Sequence, residues 1–430
     1  MTEKNQPWFE VEQAGDLDSD VRSLNATHNV AWGRQGSPIL LDGHRGSLAT
    51  AVRFMFRVIR TQDVAFTIME KSGKKKAVAA SALSHYFDAL GGMAQLYSRR
   101  CRYSPLLKLF FDCFAAHDIR RCTRSGPDRQ FEDGHRIEAE VFVDFVSTLR
   151  EQGARAGIVK QLNDWNNNSD ENDKRVQRYV DALFGRYGTL VPVHLDLFSA
   201  DCRIDETRVE EVMTMVAAEH AEDMAVLFGG VADSVSPVEP TVHDDVSDMI
   251  AARDRLLDNM RAKPSIFRSM VGYVWRIEWS HTGYYLRTVF LFDGAAPMAD
   301  IWLGERIGQY WVKSITKSQG TFRNLNMCST KFAGVGKIDH LDTTKRMDLV
   351  QVVRRLARRD RYVCVMPQGI GKRFGMGRMP QSKVSAEARA ARRARRNKRV
   401  LLVPGWVRTA ERDIGNSSFP FGTRSYGSSP

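Results

Sequence analysis

Two dense apolar runs dominate the hydrophobic pattern of the chain. Residues 274–279 and 285–292 are rich in β-branched and aromatic side chains, and His281, Thr282 and Gly283 lie between them. Short apolar runs flanking a Gly-containing turn predict a β-hairpin. Neither run leaves a wet face, which places the hairpin centrally in a sheet. Residues 190–198 (LVPVHLDLF) predict a further strand, with Pro192 near its start, where a missing N–H is tolerated. Alternation puts Val191, Val193, Leu195 and Leu197 on one side, and His194, Asp196 and Phe198 on the other. Residues 362–366 read as a short buried strand. Apolar positions recurring at three and four residues predict helices beginning at Ser47 and over 77–97, 104–117, 137–149, 174–184, 206–227, 245–261, 302–314 and 343–359. Between these, 71–76 (KSGKKK) reads as a basic loop without the glycine spacing of a phosphate-binding loop. Residues 163–173 (NDWNNNSDEND) are polar and turn-rich, the best domain boundary. Residues 231–244 read as a linker, and 320–339 and 367–380 as Gly-rich loops.

This order predicts an α+β protein. An irregular leader (1–46) precedes an all-helical N-terminal domain (47–165). An antiparallel sheet with helices packed on one face follows (174–380), in the manner of ferredoxin-like or replication-initiator folds. A basic, disordered tail (381–430) closes the chain. Such folds host many functions, so side-chain chemistry must choose among them.

Charge sharpens the picture. The 430 residues carry a net charge of +12, and residues 381–430 alone contribute +8 from eleven Lys/Arg and three Asp/Glu. Basic tails attract polyanions, most often nucleic acid, although a merely solvated tail has the same composition. Arg354, Arg358 and Arg361 recur at helical spacing beside Arg355. Lys372 and Arg373 sit in the Gly-rich loop, where amides and cations can meet phosphates. Arg392, Arg393, Arg395 and Arg396 belong to an Ala/Arg segment that a polyanion would order. Tyr284, Tyr285, Tyr310, Trp311 and Phe322 are candidates to stack on bases, or ordinary core residues. The six cysteines are scattered without Cys-x-x-Cys spacing, which predicts reduced thiols and no zinc site. The polar, acidic N-terminus is no signal peptide, and no run is long and apolar enough to span a bilayer. A cytoplasmic protein without membrane contact is expected.

Inside the apolar hairpin lie Arg276, Glu278, Arg287 and Asp293. Charges in a sheet are costly unless paired or used, so a site is sought there first. Five stretches, taken in order, resemble one family: 191–198, 258–294, 307–326, 334–363 and 371–380. Together they are similar to the YagK/YfjJ C-terminal-domain family, also described as inovirus-type gene-2-product proteins, over about residues 190–380. The resemblance implies a phage- or prophage-associated, replication-initiator-like protein that binds DNA, single-stranded by preference, with phage or host replication proteins as partners. It also implies an HUH-type endonuclease site, where a His-hydrophobic-His pair holds magnesium or manganese and a tyrosine attacks the strand. The positions matching the histidine pair are Tyr285, Leu286 and Arg287, and those matching the Tyr-x-x-Lys are Arg355 and Arg358. The expectation is therefore a DNA-binding protein with a degenerate site. The alternatives are an active nickase, or a non-catalytic interaction protein that assembles through its N-terminal helices. The nickase would use Asp196 and Glu278 with His194 or His281 around a metal, and Tyr362 or Tyr285 as nucleophile. The ordinary alternative for Asp196 is a salt bridge to Arg276 or Arg287.

Overall fold

Two short strands, β1 (Val30–Trp32) and β2 (Pro38–Leu40), pair antiparallel at the start of the described chain. The computed structural model describes residues 17–18, 20–21, 30–33, 38–40, 47–71, 73–201, 203–229, 246–295, 299–328, 334–365 and 372–380. The predicted linker at 231–244, residues 367–371 of the predicted Gly-rich loop and the basic tail lie outside these residues. Helix α1 (Leu48–Arg60) follows, with the predicted Leu48, Val52 and Met55 buried. The next elements correct the all-helical expectation. Strands β3 (Phe66–Lys71) and β4 (Lys74–Ala79) form a two-stranded ribbon, so residues 71–76 are its turn and second strand. The helix predicted over 77–97 shrinks to a 3-10 turn (Ala82–Tyr86) and a one-turn helix, α2 (Leu90–Ala94). Pairing with β3 takes the first part of that stretch, and Gly91 and Gly92 weaken the rest. Strand β5 (Cys101–Tyr103) precedes α3 (Pro105–Ala116) and α4 (Glu138–Ala156). Phe54 of α1 meets Phe110 of α3 and Phe142 of α4 at centroid distances of 6.2 and 6.1 Å, the aromatic centre of this region.

Gly157, in the left-handed region at φ 60°, separates α4 from α5 (Ile158–Tyr187). This 30-residue helix runs straight through the predicted boundary at 163–173. Asn and Asp are poor helix formers, but tertiary partners override that weak preference. Asp170 pairs with Arg361, Asp173 with Arg354 and Asp181 with Arg346. The Trp165 indole donates to the carbonyls of Asp360 and Arg361 at 2.9 and 3.1 Å. The stretch is polar because it carries counter-charges for a later helix. The described residues, all of them before Gln381, accordingly belong to one compact unit.

The second half builds the sheet. Its strands are β6 (Thr189–Phe198), β7 (Met270–Ser280), β8 (Gly283–Asp293), β9 (Thr321–Asn324), β10 (Ile338–Asp339), and, after β11 (Val363–Val365), β12 (Phe374–Met376). The order is β10-β6-β8-β7-β12, with β9 also on β6, and all pairings are antiparallel. The hairpin is thus central, as its apolar density predicts. Two of the strands, β9 and β10, arise inside the predicted loop at 320–339. Strand β11 pairs instead with β5, stitching the N-terminal region to the end of the chain's last described helix.

Helices cover both faces of the sheet, not one. They are α7 (Ser247–Asn259), α8 (Pro264–Phe267), α9 (Asp300–Tyr310) and α10 (Thr343–Arg358), with α5, whereas α6 (Val209–Leu227) lies against the N-terminal region, where its Asp223 pairs with Arg99. Val191, Val193, Leu195 and Leu197, with Ile277 and Phe290, pack with Met249, Leu256, Phe267, Leu303 and Ile307 of α7, α8 and α9. On the opposite face Leu190, Val274, Val289 and Leu291 pack against α5 and α10 through Val180, Leu183, Leu349 and Val353. That apolar contact fills only one end of the second face. The other end holds charge.

Candidate functional site

Register lines up one row of side chains across the sheet. Arg323 of β9 lies opposite Asp196 of β6, Asp196 opposite Arg287 of β8, Arg287 opposite Arg276 of β7, and Arg276 opposite Phe374 of β12. Directly opposed residues share a face and touch. Asp196 is buried and accepts from Arg287 through Nε at 2.7 Å and Nη2 at 2.9 Å. A third contact comes from Arg323 Nη2 at 2.9 Å. Burial pushes the Asp196 carboxyl up, but the Arg287 and Arg323 guanidinium groups outweigh it and hold it below the usual carboxylate range.

One step along the strands, Glu278 is also buried. It accepts from Arg359 Nε at 3.0 Å and pairs with Arg276 Nε at 3.6 Å. Arg276 further binds the Asp360 carboxylate and donates to the Leu356 carbonyl at 3.1 Å. Burial opposes the Arg276 charge, yet Asp360 and Glu278 hold it more firmly protonated than a free arginine. The N-terminal segment closes the cluster: Asp20 pairs with Arg358 at 3.0 Å, and the Trp32 ring lies 3.7 Å from the Arg323 guanidinium carbon. Guanidinium groups on each buried carboxylate make burial of so much charge tolerable.

This geometry corrects the predicted metal site. Asp196 and Glu278 do lie near one another on the sheet, but guanidinium groups occupy both carboxylates. The His194 ring is fully buried, shares a 2.9 Å hydrogen bond with the Gly334 carbonyl, and is held neutral by that burial, its pKa falling to about 4. His281 packs edge-on against Trp279 in the hairpin turn. Among the described residues no group of three or more His, Cys, Asp or Glu side chains is placed to hold a metal ion. A hard divalent cation needs open oxygen ligands, and this donor set does not fit one.

The tyrosines fare no better as nucleophiles. Tyr285 is buried and stacks on Phe198 at 5.1 Å, and burial pushes its hydroxyl pKa above the ordinary value. Tyr362 is buried at the β5–β11 seam, where its carbonyl accepts from the Ser104 N–H at 2.8 Å. Of the stacking candidates, Trp311 is wholly inside, with its indole donating to the Phe198 carbonyl at 2.8 Å, and Tyr284 is buried in the same core. Tyr310 and Phe322 are partly buried against the same core.

The predicted nucleic-acid arginines divide. Arg354, Arg358 and Arg361 are tied to Asp173, Asp20 and Asp170, so they fasten α10 to α5 and to the N-terminal segment rather than facing solvent. Arg355 is half-buried on the same helix. Arg287 belongs to the sheet row. Lys372 is exposed, and Arg373 lies against the Cys364 sulfur. Arg392, Arg393, Arg395 and Arg396 lie outside the described residues. Sequence reasoning missed Arg323, Asp360, Asp20 and Trp32, and read Arg359 only as a flank of the Arg-rich helix. The register of β9 against β6 finds Arg323, and no local signal finds the other three.

Among the described residues no helix is long and apolar enough to cross a membrane. No protein-family model, curated protein or solved structure matches this chain.

Proposed function

We propose that this chain is a cytoplasmic, replication-initiator-like DNA-binding protein that holds a strand without cutting it. The observation that carries the proposal is the fate of Asp196. A rearranged nickase site would need Asp196 open to a cation, and here Asp196 is bracketed by Arg287 and Arg323. Guanidinium groups match phosphate geometry and keep their charge. Arg287 and Arg323 retain 19% and 23% exposure of their side chains. The basic tail adds the long-range attraction that steers a polyanion to the folded unit.

Binding measured by fluorescence anisotropy over a salt series tests this. Single-stranded DNA should bind with log affinity falling linearly in log salt, by about 0.7 per phosphate neutralised. Replacing Arg392, Arg393, Arg395 and Arg396 together by Gln in the full chain should flatten that slope while leaving weaker binding. Binding that is absent, or indifferent to salt, would overturn the proposal.

A further inference from the structure

The β3–β4 ribbon has two unlike faces. Register pairs Phe66 with Ala79, Ile68 with Ala77 and Glu70 with Lys75 on one of them. That face is fastened down. Phe66 packs edge-on against Phe87 and Phe142, Lys75 binds Glu140 and the His135 carbonyl at 2.9 Å, and Asp128 accepts from the Ala77 N–H. The other face pairs Thr67 with Val78, Met69 with Lys76 and Lys71 with Lys74, and all six are exposed. Among the described residues the side chains of Lys71, Lys74 and Lys76 make no ion pair. Gly73, in the left-handed region at φ 72°, closes the turn beside them.

An outward face of this kind is poorly explained by folding. Like charges directly opposite on a ladder, as Lys71 and Lys74 are, destabilise it. Met69 and Val78, on the same face, are 58% and 42% exposed. A polyanion relieves the first cost, and apolar groups on that polyanion remove the second. The dimensions select one. A two-stranded ribbon fits the ~12 Å major groove of B-form DNA and not its ~6 Å minor groove. Lys74 and Lys76, two residues apart on one strand, lie about 6.6 Å apart along it, a span that reaches successive phosphates. Thymine methyl groups in that groove are ordinary partners for apolar side chains.

We propose that the β3–β4 ribbon enters the major groove of B-form duplex DNA, with Lys71, Lys74 and Lys76 on phosphates and base edges and Met69 and Val78 against the bases. This rests on the reading of the chain as a DNA-binding protein, but it uses a surface apart from the arginine row. Ribbons read DNA through their outward side chains in other proteins, so a rigid inner anchorage is what such a reader needs.

The test uses the full chain and a triple variant, Lys71→Gln, Lys74→Gln and Lys76→Gln. All three side chains are exposed, and an unchanged melting temperature checks that the fold survives. Anisotropy is read on a duplex DNA, on the double-stranded RNA of the same sequence, and on single-stranded DNA. The variant should lose tenfold or more in duplex-DNA affinity, and its log–log salt slope should fall by about 0.9 for each lysine that sits on a phosphate. Single-stranded DNA binding should change less than twofold. Guanine N7 atoms in the bound duplex should be protected from methylation by the wild type and not by the variant. Unchanged duplex affinity in the variant overturns the ribbon proposal and leaves the DNA-binding proposal standing. An equal loss on double-stranded RNA, whose major groove admits no such ribbon, overturns groove entry. Failure of the wild-type chain to bind any of the three ligands overturns both.

Discussion

Replacing Arg287 by Met removes two of the three contacts that hold a buried carboxylate, and the structure sets the size of the effect. Asp196 is 1% exposed and receives Arg287 at 2.7 and 2.9 Å and Arg323 at 2.9 Å. Removing one partner of a buried ion pair costs about 3–5 kcal/mol. Arg323 remains, so the lower end applies, and R287M should lose about 3 kcal/mol in urea unfolding at neutral pH. Asp196→Asn should cost less, about 1–2 kcal/mol, because both arginines keep some access to water and the amide still accepts a hydrogen bond. The double variant should be more stable than the sum of the singles predicts, since they share one interaction. Acidification gives the sign. The folded Asp196 carboxyl is depressed, so its contribution is present above the unfolded value near pH 4 and is lost as pH falls through the folded value. Without Arg287 burial is less opposed and the carboxyl rises, so acidification costs the variant less stability than it costs the wild type. Below both values the acid is neutral and the gap between the two proteins narrows. An R287M cost under about 1 kcal/mol, or a gap that stays constant on acidification, would refute the arginine-held carboxylate.

Three further outcomes follow from particular contacts. A Cβ added at Gly272 would stand 2.6 Å from the Tyr179 hydroxyl and 2.8 Å from Leu183, both fully buried, so G272A should cost about 1–3 kcal/mol in thermal or urea unfolding. Trp165→Phe deletes the indole donor to two backbone carbonyls and should cost about 1 kcal/mol, a test of whether the Asn-rich part of α5 is fastened as described. Burial pushes the Cys113 thiol up to about 11, and those of Cys122 and Cys364 to about 12. These three should therefore resist a thiol reagent at pH 8 until denaturant is added, as mass spectrometry of the labelled peptides would show.

What the sequence disclosed and what it hid follow from the range of the forces involved. The central hairpin, β6, α1, α3, α4 and α10 are written in apolar periodicity, a local signal, and each forms within a few residues of its expected bounds, except that α4 runs several residues further. Strand β6 also announces its faces: Val191 to Leu197 enter one core while His194 and Asp196 turn to the other side. The Asn-rich part of α5 misleads because its stabilising partners, Arg354 and Arg361, lie more than 180 residues away. The β3–β4 ribbon has few apolar residues and is held by Glu140 and Asp128 from another part of the chain, so its lysines read as a loop. The site was half legible. Asp196, Glu278 and Arg287 are conspicuous as charges among apolar strands, and the Asp196–Arg287 bridge was one of two open readings. Their combination with Arg323, Arg359 and Asp360 depends on register and helix docking, which no local pattern encodes.

The most direct test of a protein that binds without cutting is one incubation read on two gels. The purified chain is mixed with a pool of end-labelled single-stranded DNA and manganese. Half is run native, and half is run denaturing with and without protease. The account predicts a shifted band on the native gel that fades as salt rises, and only free, full-length DNA on the denaturing gel. A slow, protease-sensitive band on the denaturing gel would mean a covalent protein–DNA link, and would contradict the account.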